Sequence, residues 1–415
     1  MPARGSALHR EARNFASFPA VQRGPAKPLT MAGDRLPGRD ALAALADAGL
    51  IGHLLDDWRV EGGKPAVGPW RREYARFHPG QDPWAVCLYQ ANDGSLVRIE
   101  ALLSAERASV VQGKTGPLRI AEFPDDAELP GLGEVMSMLE SVQVVRYRPG
   151  QRCTLRGFAA GGERFVQLIP GGERVYNEAL SLWAAYREGS LSLAVPEPYG
   201  WHAPTRSFWQ GVVPGRAVLP ELLGPDGERF AHRIGAAMGE VAASKLVPAL
   251  STPATEHLGH TVRSIARAEL ALPALAPRFA QVQTELERRH NLLPQRAGLP
   301  VHGAPNLRRW LMQGARLGLV SFDRFALGDP EFDLATLVAE LETERSMVRQ
   351  LSAMEAALSA GFEASGLRLD PARSNLYRIH KRLFTMVRTA WATRPDAALR
   401  AEYHLRTVEV MLERD

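Results

Sequence analysis

The side chains of this 415-residue chain that could carry chemistry gather between positions 299 and 335. His302-Gly303 opens the run, Asn306 and Arg309 follow within seven residues of the histidine, and Asp323, Asp329 and Asp333 come after them. An arginine keeps its proton at any accessible pH and offers a planar fork to a carboxylate or phosphate. Arg309 is therefore a candidate anion holder; the alternative has it pointing to solvent or paired with an acid. Upstream stand Gln167 in an apolar run, Glu178 in a helical pattern and Gln210 at the end of a short strand pattern. Gly161-Gly162 and Gly171-Gly172 read as hairpin or loop glycines, and no phosphate-cradling glycine motif of the Walker type occurs.

Those residues need elements to hold them. Residues 1–35 combine prolines with a basic excess and no apolar period, which predicts a disordered tail; Met31 offers an alternative start. A helix is predicted over 38–58, with Asp40 as its cap. Strands then dominate: Trp84–Tyr89 and Leu96–Leu103 flank the tight-turn signal Asn92-Asp93-Gly94. Arg76-Phe-His-Pro-Gly-Gln81 recurs as Arg146-Tyr-Arg-Pro-Gly-Gln151, which favours a duplicated strand–turn–strand unit. A three-stranded meander is predicted at Ser141–Tyr147, Thr154–Ala159 and Arg164–Ile169, followed by a helix near 174–188 with Leu180, Trp183 and Ala184 inward. Long helical patterns fill about 226–247, 257–290, 333–365 and 370–395, interrupted at 299–330 by two short strand-like runs. The domains expected are a tail at 1–35, an α+β extension at 36–135, a small β-rich lobe at 136–215 and a mainly helical large lobe at 216–415.

Composition narrows the class. Hydrophobic residues at 45% and charged ones at 23% exclude a fibrous or wholly disordered chain. No apolar stretch is long enough to span a membrane, and no membrane association is expected. The two cysteines, Cys87 and Cys153, cannot make a disulfide framework and lack metal-ligand spacing, which predicts a reducing, cytoplasmic setting. Of the 50 basic residues only five are lysines, the arginine bias of a GC-rich genome. Because arginine alternates with acids instead of clustering, nucleic-acid binding is not expected.

The run Leu299-Pro-Val-His302-Gly303, with Val320-Ser321-Phe322-Asp323 and Gly328-Asp329-Pro330-Glu-Phe332-Asp333-Leu334-Ala335, resembles the catalytic motifs of the aminoglycoside phosphotransferase and choline kinase-like family. Val144–Gly157 with Phe165–Ile169 resembles that family's small-lobe strands, and Tyr176-Asn177-Glu178 the helix bearing its ion-pair glutamate. The resemblance implies an α+β, two-lobed, protein-kinase-like fold with an N-terminal α+β extension, ATP as nucleotide with Gln210–Pro214 at the hinge, and Mg²⁺ as its metal. It also implies scaffold roles for His302, Gly303, Asp329 and Asp333: a packed histidine, a tight backbone, a loop pin or cap, and an acceptor of backbone donors from residues 302–306.

Phosphoryl transfer needs a cation on the phosphates, metal ligands and a carboxylate that takes the acceptor's proton. At the positions matching those roles this chain has Gln167 for the lysine, Ala304 for the base, Arg309 for the asparagine and Ser321 for the metal aspartate. Losing a general base costs about 10²–10⁴ in rate. Asn306 lies three residues early and could swing in; Asp323 lies about 6.6 Å further along an extended chain than Ser321, an outer-shell candidate for metal. Lys, Asp and Asp sum to −1 in the family; Gln, Ala, Ser and Arg sum to +1 here, so Mg²⁺ is not expected.

Three readings follow. The first is a degenerate phosphotransferase, a pseudokinase acting as a regulatory or scaffold subunit or as a non-catalytic nucleotide or anion binder through Gln167, Glu178, Gln210 and Arg309. The second is an active ATP-dependent small-molecule kinase with a rewired site built on Asp323, Asn306 or residues of the 36–135 extension. The third is metal-independent anion chemistry at Arg309. The partner expected is a protein or a small molecule.

Overall fold

The computed structural model describes residues 45, 48–78, 84–102, 118–344, 350–391 and 396–413. The predicted tail, the cap Asp40 and the first half of the predicted 38–58 helix lie outside them. The chain divides into two compact units: Met1–Pro170 with Gly200–Trp209 and Trp391–Pro395, and Gly171–Tyr199 with Gln210–Ala390 and Asp396–Asp415.

The first unit is built on strands. Helix α1 (Ala48–Glu61) precedes an antiparallel sheet of β1 (Trp70–His78), β2 (Trp84–Ala91), β3 (Leu96–Leu102) and β4 (Leu118–Glu122), in the order β1-β2-β3-β4. The predicted Asn92-Asp93-Gly94 turn joins β2 to β3, with the Gly94 N–H on the Ala91 carbonyl and the Ser95 N–H on the Asp93 carboxylate. Alternation along β2 and β3 sends Ala85, Cys87, Tyr89, Val97 and Ile99 into one core with Ile51, Leu55 and Trp70.

After the short α2 (Leu132–Ser137) comes the meander β5 (Glu140–Arg148), β6 (Arg152–Ala159) and β7 (Gly162–Leu168), each within two residues of its predicted bounds. With β8 (Pro198–His202) and β9 (Ser207–Gln210) it makes a sheet ordered β5-β6-β7-β9-β8. The first three residues of the two copies of the repeated hexapeptide occupy equivalent places. Arg76-Phe77-His78 ends β1, which pairs with β2, and Arg146-Tyr147-Arg148 ends β5, which pairs with β6. In the second copy, buried Asp126 fixes the turn. It accepts from Tyr147 Oη at 2.8 Å and from the Gly150 N–H at 2.8 Å, and it pairs with Arg98 at 3.0 Å. Residues 79–83, the turn of the first copy, lie outside the described residues.

The second unit opens with α3 (Gly172–Arg187), which carries Glu173 in its first turn and Arg187 in its last, matching the helix dipole. Its inward face is Val175, Glu178, Leu182 and Ala185. The sequence pattern placed Leu180, Trp183 and Ala184 inward; Leu180 is instead 42% exposed. The phase error arose because a charged residue, Glu178, is part of the buried stripe.

Then follow β10 (Arg216–Ala217), α4 (Leu219–Leu222), α5 (Gly227–Ala243), β11 (Leu250–Thr252), α6 (Ala254–Ala271) and α7 (Ala276–Leu292). The single helical pattern at 257–290 is thus two helices, broken where Pro273 and Pro277 cannot continue a helix. Strand β12 (Leu299–Val301), the hairpin β13 (Trp310–Gln313) and β14 (Arg316–Leu319), and β15 (Ala326–Gly328) form two small sheets, β10-β13-β14 and β11-β15-β12. Helices α8 (Pro330–Leu341), α9 (Leu351–Glu363), α10 (Pro371–Ala390) and α11 (Ala397–Glu413) complete the unit. Its core runs through Ile234, Leu307, Trp310, Phe325, Leu337 and Phe362. No described helix is long and apolar enough to cross a membrane.

Candidate active site

The loop after β12 is held from both sides. Gly303 has φ +78°, and a Cβ there would meet the Arg324 carbonyl oxygen at 2.3 Å, so only glycine fits without moving backbone. Its N–H donates to Asp333 Oδ2 at 3.1 Å, and the Leu307 N–H donates to Glu340 Oε2 at 2.6 Å. Asp333 and Glu340 are seven residues apart on α8, two turns, so one helix face supplies both acceptors. Glu340 is therefore a loop anchor, because an otherwise unsatisfied backbone donor lies opposite it. Burial raises its carboxyl pKa against that hydrogen bond.

His302 is buried and its protonation is fixed by geometry. Nδ1 accepts the Ala304 N–H at 3.3 Å, so the ring proton is on Nε2, which donates to the Val320 carbonyl at 3.1 Å. Burial, with Arg309 beside it, lowers its pKa to about 3. A neutral ring with both nitrogens occupied is a strut and has no lone pair for a substrate proton. Ala304 follows, half-buried, with no group that accepts a proton.

Arg309 turns inward. Its Nη1 donates to the Ser321 carbonyl at 3.0 Å and lies 3.8 Å from Asp323 Oδ1, with 12% and 4% of the two side chains exposed. Of the two positions read for it from sequence, pairing with an acid is the one observed. Ser321 has φ +69°, the left-handed region, which turns its carbonyl toward the guanidinium. Asp323 is buried, and its own carbonyl accepts from Arg174 Nη2 at 3.0 Å. Arg174 simultaneously holds Glu178, whose other oxygen takes the Ala249 N–H at 3.2 Å. Burial raises the Glu178 pKa while Arg174 opposes it.

Arg174 thus links the carboxylate of one predicted residue to the backbone of another. It stands four residues before Glu178, a helix-neighbour spacing that could have flagged it. Asn306 lies in the same loop with its Oδ1 buried and without a hydrogen-bond partner among the described residues.

Asp329 and Gln210, in the second unit, make other contacts, and Gln167 belongs to the first unit. Asp329 makes no side-chain cap to α8. It binds Arg296 at 3.0 Å, Arg373 at 2.6 Å and the Tyr377 hydroxyl, pinning the Gly-Asp-Pro turn to α10. It is a pin to neighbouring helices because these donors outcompete the first-turn amides. Gln210 is buried at the end of β9, and the next N–H, that of Gly211, donates to the Glu197 carbonyl at 2.8 Å. Gln167 is buried on β7 opposite Thr154 in the first unit.

The donor set does not fit Mg²⁺. Hard cations take oxygen ligands; here alanine and serine replace two of the carboxylates, and Asp323 has an arginine against it. Among the described residues no three His, Cys, Asp or Glu side chains come together as a metal cluster.

The sequence model of the phosphotransferase enzyme family matches residues 155–373. Among solved structures, the microcompartment-associated aminopropanol kinase is 16% identical with a TM-score of 0.50, covering 68% of this chain and 95% of its own. Amicoumacin kinase hAmiN, in complex with AMP-PNP, Ca²⁺ and Ami, is 12% identical with a TM-score of 0.50, covering 67% and 92%. Choline kinase LicA from Streptococcus pneumoniae is 12% identical with a TM-score of 0.45, covering 68% and 97%. No curated protein sequence matches. At these identities the likeness is one of fold, and that fold is the kinase-like one.

Proposed function

The chain belongs to the phosphotransferase enzyme family, and from that premise we propose that it is a pseudokinase: a cytoplasmic member that has given up phosphoryl transfer and acts by binding a protein or small molecule. The observation that carries this reading is Arg309 at the family's asparagine position, donating to the Ser321 carbonyl and set 3.8 Å from Asp323. A divalent ion drawn to Asp323 would face a guanidinium that cannot lose its proton. A +2 and a +1 charge about 4 Å apart repel by about 8 kcal/mol at an effective dielectric constant of 20. Ala304 then removes the base, another factor of about 10²–10⁴.

The nucleotide-holding groups are occupied as well. Glu178 is clasped by Arg174, and the Gly211 N–H at the hinge position is taken by Glu197. Of the groups offered for a rewired kinase, Asp323, the one carboxylate, has a cation for a neighbour.

The test is turnover and thermal unfolding of the full chain with ATP, with and without Mg²⁺. Neither turnover nor Mg²⁺-dependent stabilisation is expected. Mg²⁺-dependent ATP consumption that disappears in Asp323→Asn would overturn the proposal. Restoring Gln167→Lys, Ala304→Asp, Arg309→Asn and Ser321→Asp together is expected to create Mg²⁺-dependent nucleotide binding.

A further inference from the structure

Within the second unit, three helices end at one place. Helices α5 and α9 run with their backbones in contact. A Cβ on Gly235 would strike the Leu358 carbonyl oxygen, and one on Gly239 would meet the Phe362 carbonyl oxygen at 2.5 Å and Ser365 Oγ at 2.8 Å. The contacting positions advance together along the two chains, so the helices are parallel and their C-termini lie side by side. The segment after α3 joins them. The Ser192 N–H and hydroxyl donate to the two carboxylate oxygens of Glu240, on the last turn of α5, at 2.7 Å each. A helix C-terminus carries about half a negative charge. Neither α5 nor α9 has a basic residue in its last turn to offset it.

Between these ends is an open pocket of about 380 Å³, lined by Ser190, Glu240, Ser244, Ser365 and three alanines. Each serine stands just past one of the three helices and donates its hydroxyl hydrogen back to that helix. Ser190 donates to the Ala185 carbonyl at 2.9 Å, Ser244 to that of Val241 at 2.6 Å and Ser365 to that of Phe362 at 2.7 Å. With their protons committed, the three oxygens can only accept. Glu240 also only accepts, and Ser192 orients it without neutralising it: it makes no ion pair among the described residues. Glu363, on the last turn of α9, has by contrast its own cation, Arg368 at 3.0 Å. Lys245, the residue after Ser244, is exposed and does not line the pocket. The wall therefore presents acceptors, one full negative charge and the negative ends of three helices.

We propose that this pocket binds the ammonium group of a small primary amine, with Glu240 as its counter-ion and the hydroxyl oxygens of Ser190, Ser244 and Ser365 as further acceptors. The lining decides the ligand class. A primary ammonium has three N–H donors and no acceptor, the complement of a wall that only accepts. A quaternary ammonium brings the charge without the donors and leaves the serines unused. A hard divalent cation draws its affinity from several charged oxygens, and this pocket offers one carboxylate. The volume, at the lower end of those that hold small ligands, suits a short aliphatic chain behind the charged group. None of the lining residues belongs to the candidate active site, so the assignment does not rest on the pseudokinase reading.

The probe is n-butylamine, titrated calorimetrically into the full chain at neutral pH and constant ionic strength, beside tetramethylammonium and 1-butanol. Saturable binding of the amine is expected, with both controls weaker by about 10-fold or more. Glu240→Gln keeps the shape of the side chain and removes its charge. Ala364→Leu changes only an exposed position and fills the pocket. Each is expected to weaken the amine about 10-fold or more. Absence of saturable binding overturns the proposal. So does unchanged affinity in either variant, or tetramethylammonium binding as tightly as butylamine. Neither ATP nor Mg²⁺ enters the assay, so turnover of Mg²⁺·ATP would refute the pseudokinase reading without touching this result.

Discussion

Replacing Arg309 by methionine tests the self-neutralised site most directly. The substitution keeps the aliphatic stem and removes a guanidinium that donates to Ser321 and faces Asp323. A hydrogen bond from a charged group is worth about 1.5–3 kcal/mol, and stripping one partner from a buried ion pair costs about 3–5 kcal/mol. The ion-pair contact, at 3.8 Å, is long, and Asp323 keeps further interactions, so a loss of about 2–4 kcal/mol is expected. The assay is urea unfolding, read as a lower midpoint at unchanged slope. Asp323→Asn removes the charge from the other side. If the pair is real, the double variant is less destabilised than the sum of the two, with a coupling of about 1–2 kcal/mol. Burial predicts that this coupling survives molar salt, where an exposed pair would be screened. Additivity within about 0.3 kcal/mol would mean that Arg309 and Asp323 do not sense each other, and the argument against a metal ion would lose its main support.

Gly303→Ala forces a methyl to 2.3 Å from the Arg324 carbonyl in a left-handed backbone; a loss of more than about 3 kcal/mol, or insoluble protein, is expected, and wild-type stability would refute the geometry. Ser321→Gly removes the strain of φ +69° and is expected to leave stability unchanged or raise it by up to about 1 kcal/mol in urea, whereas a clear loss would show that the serine side chain is needed. The histidines set an acid limit. Burial lowers His257 and His302 to about 3 and His290 to about 4, from 6.5. Between those values and 6.5 the unfolded chain binds more protons, so stability is complete above pH 6.5 and falls as the pH drops toward 4. Glu178, Glu340 and Asp333, whose carboxyls burial raises, act in the opposite sense, Asp333 up to about pH 7, so the histidine contribution is read as the change in the pH slope of the urea midpoint on His302→Gln. A slope that His302→Gln leaves unchanged would refute the buried, neutral assignment.

What was legible in the sequence depended on locality. The meander of β5 to β7 was visible because alternation and turn glycines are short-range signals, and its bounds came within two residues. The motif from Gly328 to Ala335 located the loop-and-helix scaffold for the same reason. Helix breaks were less legible: a helical period continues across Pro273 even though the chain does not. The inward face of α3 was misjudged because apolar residues alone set its phase, whereas Glu178 is part of the buried stripe with its own arginine four residues away. The role of Glu340 was not legible either, since nothing local announces that a loop amide will arrive opposite it.

The arginines explain how a site can lose its metal and its lysine without collapsing. A kinase-like cleft gathers acids, and buried acids without counter-ions destabilise a fold by several kcal/mol each. In the second unit each retained acid has acquired a fixed cation or a backbone donor: Glu178 has Arg174 and the Ala249 amide, Asp323 has Arg309, and Asp333 has the Gly303 amide. Arg174 also donates to the Asp323 carbonyl, so the two clasps meet on the segment that carries Ser321. A covalently attached cation is always present, whereas a metal ion must be bound from solution, and it is positioned by packing that a metal ion would have to displace. On the pseudokinase reading, a site that carries its own counter-charges in this way needs no Mg²⁺ for its stability.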